Sequence, residues 1–178
     1  MLTVYRNPIT TYDMRLLTGR RSELVTILSR TWRLMTTQTA TERPGTDPSV
    51  PELSVIIPCY NEEKNLEHGV LDEVHAYLTD RPYAWEVVIV NDASTDQSRE
   101  LVAAFVEDKP RYRLIDIPHG GKPAAVWAGI QAARGEIILF TDMDQSTPIG
   151  EWDKLRPWYD RGYDVVIGSR GRTREGSS

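Results

Sequence analysis

A chain of 178 residues is long enough for one domain with a hydrophobic core, and 40% hydrophobic with 26% charged residues is ordinary for a globular protein. The net charge of −5 is uneven: residues 1–43 carry seven Arg against three acidic residues, a net +4, and the remainder carries 14 basic against 23 acidic residues, a net −9. The acidic body argues against a nucleic acid partner, the lone Cys59 excludes an internal disulfide, and no run of about 18 apolar residues is present to span a bilayer.

Residues 1–21 show no clear period and read as an irregular arm. Ser22 is a suitable N-cap for an amphipathic helix running to Leu34, within segment 22–35, with Leu24, Val25, Ile27, Leu28, Trp32 and Leu34 as its apolar positions. Its arginines suit either solvent or an anionic lipid surface, so a peripheral membrane contact and a solvated tail both stay open. Segment 36–51, rich in Thr, Pro and Gly, reads as a linker. The start of the chain has no compact apolar stretch of the secretory type, which predicts a cytoplasmic protein, at the membrane's cytoplasmic face if the basic arm meets lipid.

From residue 52 onward, short apolar runs alternate with helix-like stretches. The runs are Leu53–Pro58, Trp85–Asn91, Tyr112–Ile117, Glu136–Thr141 and Asp164–Gly168; the helices between them are Glu63–Leu78, Asp96–Glu107 and Pro123–Ala133. The runs are rich in Val and Ile and apolar on both faces, as buried parallel strands are. Strand–helix alternation predicts an α/β fold with a mostly parallel sheet and right-handed crossovers.

In such a sheet, ligands bind beyond the carboxyl ends of the strands. Polar residues collect there: Pro58-Cys59-Tyr60-Asn61-Glu62-Glu63, Asp92-Ala93-Ser94-Thr95-Asp96, His119-Gly120-Gly121-Lys122 and Asp142-Met143-Asp144-Gln145. In extended backbone, Asp142 and Asp144 would point to the same side and hold one hard divalent cation, Mg²⁺ or Mn²⁺, which completes its shell with water and phosphate. A pair of loop aspartates at a strand end is the plain alternative. Asp92 suits either the imide or amino groups of a base or an Asx-turn or cap. Tyr60 offers a ring face and Glu62 an acceptor for a ribose hydroxyl. Gly120-Gly121-Lys122 reads as a phosphate-approaching turn or as a solvated one. Trp127 reads as core or as support behind the site, and His68 and His75 as helix residues without a metal role.

These motifs, with Asn91 before Asp92 and Gly168-Ser169-Arg170 after the last run, resemble family 2 glycosyltransferases, and their order and spacing resemble the dolichyl-phosphate mannose and glucose synthase branch. The likeness covers about residues 53–172 and implies a GT-A-type fold, with segment 52–178 as the nucleotide-sugar-binding domain. By resemblance, Pro58, Tyr60, Glu62, Val90 and Asp92 contact the nucleoside. Asp142, Met143 and Asp144 hold metal and diphosphate, and Arg170 contacts phosphate near the transfer point. The resemblance implies an inverting transfer of a hexose from a nucleotide sugar, UDP-glucose favoured over GDP-mannose, to a polyprenyl or dolichyl phosphate. Catalysis would be positioning and charge neutralisation by the metal, Lys122 and Arg170, with Asp142, Asp144 and Arg170 as its central groups. The chain ends soon after Arg170, which leads to the expectation that the acceptor half of the fold is incomplete.

Three rival readings compete with this one. A haloacid-dehalogenase-like phosphatase would use Asp142 as nucleophile, but four strand-like runs precede this D-x-D and only 34 residues follow Asp144. A dinucleotide-binding oxidoreductase needs glycines in the first strand–helix turn, and Cys59 to Leu66 has none. A nucleotide-sugar-binding or partner module without transfer keeps the same site.

Overall fold

The structure is a computed structural model that describes residues 2–7 and 50–168. The amphipathic segment 22–35, nearly all of the linker and Arg170 lie outside these residues. The described residues build six strands, β1 (Thr3–Arg6), β2 (Leu53–Cys59), β3 (Trp85–Asn91), β4 (Tyr112–Asp116), β5 (Ile137–Phe140) and β6 (Val165–Ile167). Five helices accompany them: α1 (Glu63–Glu67), α2 (Val70–Thr79), α3 (Ser98–Val106), α4 (Gly121–Ala132) and α5 (Trp152–Asp160), the last entered through a 3₁₀ turn at Ile149–Glu151.

The sheet order is β4-β3-β2-β5-β1-β6. β2 pairs in parallel with β3 and β5, and β3 in parallel with β4, as the two-faced apolar runs predict. β1 is antiparallel to both β5 and β6, with Val4 opposite Leu139 and Val166. The segment read as an irregular arm, 1–21, therefore contributes a strand at Thr3–Arg6. Four residues are too few for their alternation to register as a period, and their partners are more than 130 positions away.

Alternate residues of each strand feed two cores. Leu53, Val55, Ile57, Val87 and Ile89 pack with α2, α3 and α5 through Val74, Leu78, Val102, Trp152 and Tyr159. Ile56, Val88, Val90 and Ile138 pack on the other face beneath α4, through Ala125 and Ala133. α4 sits close to the sheet because Gly129 faces it: a Cβ there would meet Ile56 Cγ2 at 2.2 Å. Trp127, expected in the core or behind the site, is 62% exposed. It lies two residues from Ala125 and two from Gly129, and two positions on a helix turn a side chain to roughly the opposite face.

The stretch read as one helix, Glu63–Leu78, is two helices. Gly69 takes a left-handed φ of 80° between them, which breaks the hydrogen-bond ladder. Helix α5 has no counterpart in the sequence reading, since Pro157 inside it argues against a helix. Its core face is nonetheless periodic, through Trp152, Leu155 and Tyr159. No helix among the described residues is long and apolar enough to cross a membrane.

Candidate functional site

The loops leaving β2, β3 and β5 meet at one end of the parallel strands. Each carries a residue other than glycine at positive φ: Asn61 at 54°, Ala93 at 55° and Gln145 at 45°. Such backbone is costly, most plainly for Ala93, and persists where surrounding contacts impose it. The first two loops are tied together. Asn61 Oδ1 accepts the Thr95 N–H at 2.8 Å, Ser94 Oγ accepts the Asn61 N–H at 3.1 Å, and Ser98 Oγ accepts the Glu62 N–H at 2.7 Å. Asp96 Oδ2 accepts the Glu63 N–H at 3.3 Å.

A cavity of about 250 Å³ opens between these loops and the start of α4. Pro58, Tyr60, Glu62 and Asp92 line it from β2 and β3; Lys122, Asp142, Met143 and Asp144 line it from α4 and β5. Eight of the ten residues singled out in the sequence thus share one space. Val90 does not line it; its side chain is fully buried under α4. Arg170 lies outside the described residues. Cys59, His119, Gly121 and Ala125 complete the lining, and of these His119 carries chemistry that the sequence reading did not assign.

Part of the cavity lining is charged. Asp142-Met143-Asp144 lies on a turn after β5 and not on extended backbone, since the Asp142 carbonyl accepts the Gln145 N–H at 3.3 Å. The two carboxylates face one cavity through that turn, with Met143 buried in the core behind them. Asp144 Oδ1 accepts the Ser146 N–H at 2.9 Å. Lys122 Nζ is ion-paired with Asp142 Oδ1 and stands 5.3 Å from the centre of the Phe140 ring. Burial alone would raise the Asp142 carboxyl, but positive charge beside it, that of the Lys122 ammonium included, pulls the group below its ordinary value. Glu62 is pushed the other way, first by burial and then by the charges of Asp144, Asp142 and Asp96. Acidic charge is therefore concentrated here in excess of what Lys122 neutralises.

Among the described residues, no group of three or more His, Cys, Asp or Glu is placed to hold a metal ion. Two carboxylates that both face a water-accessible cavity suit a hard cation such as Mg²⁺ or Mn²⁺, which keeps several waters and takes further oxygens from phosphate.

Asp92, which also lines the cavity, is 2% exposed and both its oxygens are occupied. Oδ1 accepts the Gly120 N–H at 2.7 Å and Oδ2 the Gly121 N–H at 2.8 Å. The carboxylate thus secures the start of α4, which is the capping alternative acting on a later helix than the one that follows it in sequence. His119 Nδ1 lies 3.1 Å from Asp92 Oδ2, and its ring rests on Tyr60 with centroids 4.7 Å apart.

Compared with known proteins, the chain matches the family described as "Glycosyl transferase family 2" over residues 54–178. It is 36% identical over 140 residues to a dolichyl-phosphate beta-glucosyltransferase of Trichomonas vaginalis, covering 72% of this chain and 43% of that protein. It is 34% identical over 116 residues to an undecaprenyl-phosphate 4-deoxy-4-formamido-L-arabinose transferase of Pseudomonas fluorescens, covering 64% of this chain and 34% of that protein. A solved mannosyltransferase from Pyrobaculum calidifontis, in complex with GDP-Man and Mn²⁺, is 30% identical with a TM-score of 0.45, covering 69% of this chain and 36% of that one. The chain spans less than half the length of these curated relatives.

Proposed function

We propose a function from one premise: the chain belongs to glycosyl transferase family 2. The protein binds a nucleotide sugar in the cavity at the ends of β2, β3 and β5 and takes part in inverting transfer of its hexose to a polyprenyl phosphate. The observation that carries this reading is the polarity of that cavity. Asp142, Asp144 and Lys122 supply its charged groups, and the stacked rings of Tyr60 and His119 supply a flat aromatic surface in the same lining. A nucleoside diphosphate sugar has the same division, with a flat base at one end and a diphosphate at the other. The relatives named for transfer to dolichyl or undecaprenyl phosphate support the acceptor class. UDP-glucose is the donor we favour over GDP-mannose.

Asp142 and Asp144 would hold a divalent ion, which when bound supplies charge neutralisation to a departing diphosphate. Lys122, at the mouth of the same pair, is placed to give its ammonium to phosphate oxygens once Asp142 is otherwise engaged. Glu62 offers an acceptor to a ribose hydroxyl. A phosphate monoester acceptor is already largely ionised near pH 7, so no strong general base is required, and none is assigned. Arg170 is proposed as a further phosphate contact. The basic segment within residues 1–43 is proposed to meet the anionic surface in which such an acceptor lies.

Calorimetric titration of UDP-glucose with Mn²⁺ tests the donor site. Asp144→Ala should weaken metal-dependent donor binding by about tenfold or more, roughly 1.4 kcal/mol, with the thermal transition unchanged. Unaltered affinity would remove Asp144 from the site. Transfer of labelled glucose to a polyprenyl phosphate tests the reaction itself; donor binding without transfer would leave a nucleotide-sugar-binding module.

A further inference from the structure

A second cavity, of about 200 Å³, opens where the parallel strands begin, at the end of the sheet opposite the first cavity. It is lined by residues at or just before the starts of β2, β3, β4 and β5, among them Pro51, Trp85, Glu86, Arg111 and Arg134. Strand β3 measures the separation: it starts at Trp85 in this cavity and ends seven residues on at Asn91, next to Asp92 in the other. At about 3.3 Å per residue, that is about 20 Å.

Arginine gives this cavity its character. Glu86 is the only carboxylate in the lining, and it is already paired with Arg113 at 3.0 Å and Arg134 at 2.8 Å. Arg111 takes part in no ion pair among the described residues; its guanidinium lies over the Trp85 ring, 4.9 Å from the centroid. The acidic groups nearest in sequence are engaged elsewhere, Glu52 with Arg156 and Asp108 with Lys109. Three guanidiniums against one carboxylate leave two positive charges, in a body that from residue 44 onward carries −9. The Trp85 ring is 4% exposed and packs edge-on against Tyr112, so it is a fixed platform for Arg111. Stacking occupies the face of a guanidinium and leaves its in-plane N–H groups free to donate. Arg134 gives Nε and Nη2 to Glu86 and keeps Nη1.

We propose that this cavity is a second, separate anion site, which takes a phosphate group on the free N–H edge of Arg111 and on Nη1 of Arg134. A phosphate monoester near pH 7 carries close to two negative charges and three strong acceptor oxygens, which matches the two uncompensated positive charges; a carboxylate would neutralise only one. Bound there, the phosphate ties the start of β4 to the start of β5. A soluble phosphate ester and a phospholipid headgroup present the same group, and the experiment separates them. The site does not depend on the nucleotide-sugar reading of the first cavity.

The test is titration of inorganic phosphate into the full chain without divalent metal. The phosphorus resonance of the ligand measures binding, and the Trp85 indole N–H resonance, assigned by its loss in Trp85→Phe, locates it. Sodium chloride at matched ionic strength is the control. Phosphate should shift the Trp85 signal saturably and chloride should not. Arg111→Gln should weaken phosphate binding about tenfold or more, the scale of a charge-assisted hydrogen bond, and Arg111→Lys, which keeps the charge and loses the fork, should fall between. Asp144→Ala should leave the phosphate midpoint where it was, which distinguishes failure of this site from failure of the first. Co-sedimentation with phosphatidylcholine vesicles containing phosphatidic acid assigns the source: Arg111-dependent pelleting points to a headgroup, and phosphate binding without it points to a soluble molecule. The site is overturned if phosphate binds the wild type and Arg111→Gln with equal affinity, if chloride reproduces the Trp85 shift, or if phosphate gives no saturable shift at all.

Discussion

Glu86 shows how a single residue can be read in physical terms far from the cavity at the carboxyl ends of the strands. It ends 1% exposed in β3, where an isolated carboxylate would be prohibitive. Oε1 accepts the Ser54 hydroxyl and the Arg134 N–H, both at 2.7 Å; Oε2 accepts Arg113 Nη2 at 3.0 Å and Arg134 Nε at 2.9 Å. Burial pushes this carboxyl up, and these donors together push it further down, so it titrates below its ordinary value of 4.5. A depressed folded value means that the ionised form is favoured by folding. Its contribution is fully present above the unfolded value and is lost as pH falls through the folded one. Acid unfolding followed by circular dichroism should therefore show a Glu86-dependent loss of stability that sets in below about pH 4.5. Glu86→Gln should be less stable at pH 7 by about 3–5 kcal/mol, the usual cost of breaking a buried pair, and should fall less steeply in acid. Equal slopes in the two proteins would count against the assignment. Cys59 illustrates the opposite case: burial first, then the nearby Glu62 charge, push its thiol up to about 12, so it fills the core as a small apolar group.

Elements in this chain are set by contacts as much as by period. α4 is pressed onto β2 and β3 by the absence of a side chain at Gly129, and its first residues, Gly121 and Lys122, line the cavity. Gly129→Ala would place a methyl group 2.2 Å from Ile56 Cγ2 and 3.3 Å from Val90 Cγ2. The expected cost is about 1–3 kcal/mol of overpacking, read by denaturant unfolding. The cost should shrink in an Ile56→Ala background, where the obstructing group is gone; an undiminished cost in the double mutant would place the strain elsewhere. The splitting of Glu63–Leu78 at Gly69 and the existence of α5 despite Pro157 follow the same logic. Periodicity registers which residues face a core, but a left-handed glycine or a proline changes the backbone without disturbing that pattern.

At the scale of the molecule, the sheet depends on a strand from the far end of the chain. β1 lies between β5 and β6 and bonds to both, and Leu2 and Val4 are fully buried. Val4→Asp would bury a charge opposite Leu139 and Val166. The expected loss is about 3 kcal/mol or more, a fall of roughly 6–12 °C in Tm for a protein of this size; a variant unfolding at the wild-type temperature would show that β1 is dispensable. None of this was legible beforehand. Thr3–Arg6 carries too little pattern to be read, and its meaning depends on partners at 137–140 and 165–167.

The amino-acid sequence by itself determined the parallel strands β2 to β5, the helical stretches between them and the rim on which Tyr60, Glu62, Asp92, Lys122, Asp142 and Asp144 collect. Those features follow from local periodicity and from the rule that strand ends in an open parallel sheet converge. Only the tertiary structure decided that β1 completes the sheet, that Val90 is core, that Asp142 and Asp144 meet the cavity through a turn, and that Asp92 is occupied by the Gly120 and Gly121 amides. Each of those depends on a partner remote in sequence, and a hydrogen bond between residues 28 or 29 positions apart leaves no trace in the local pattern of either.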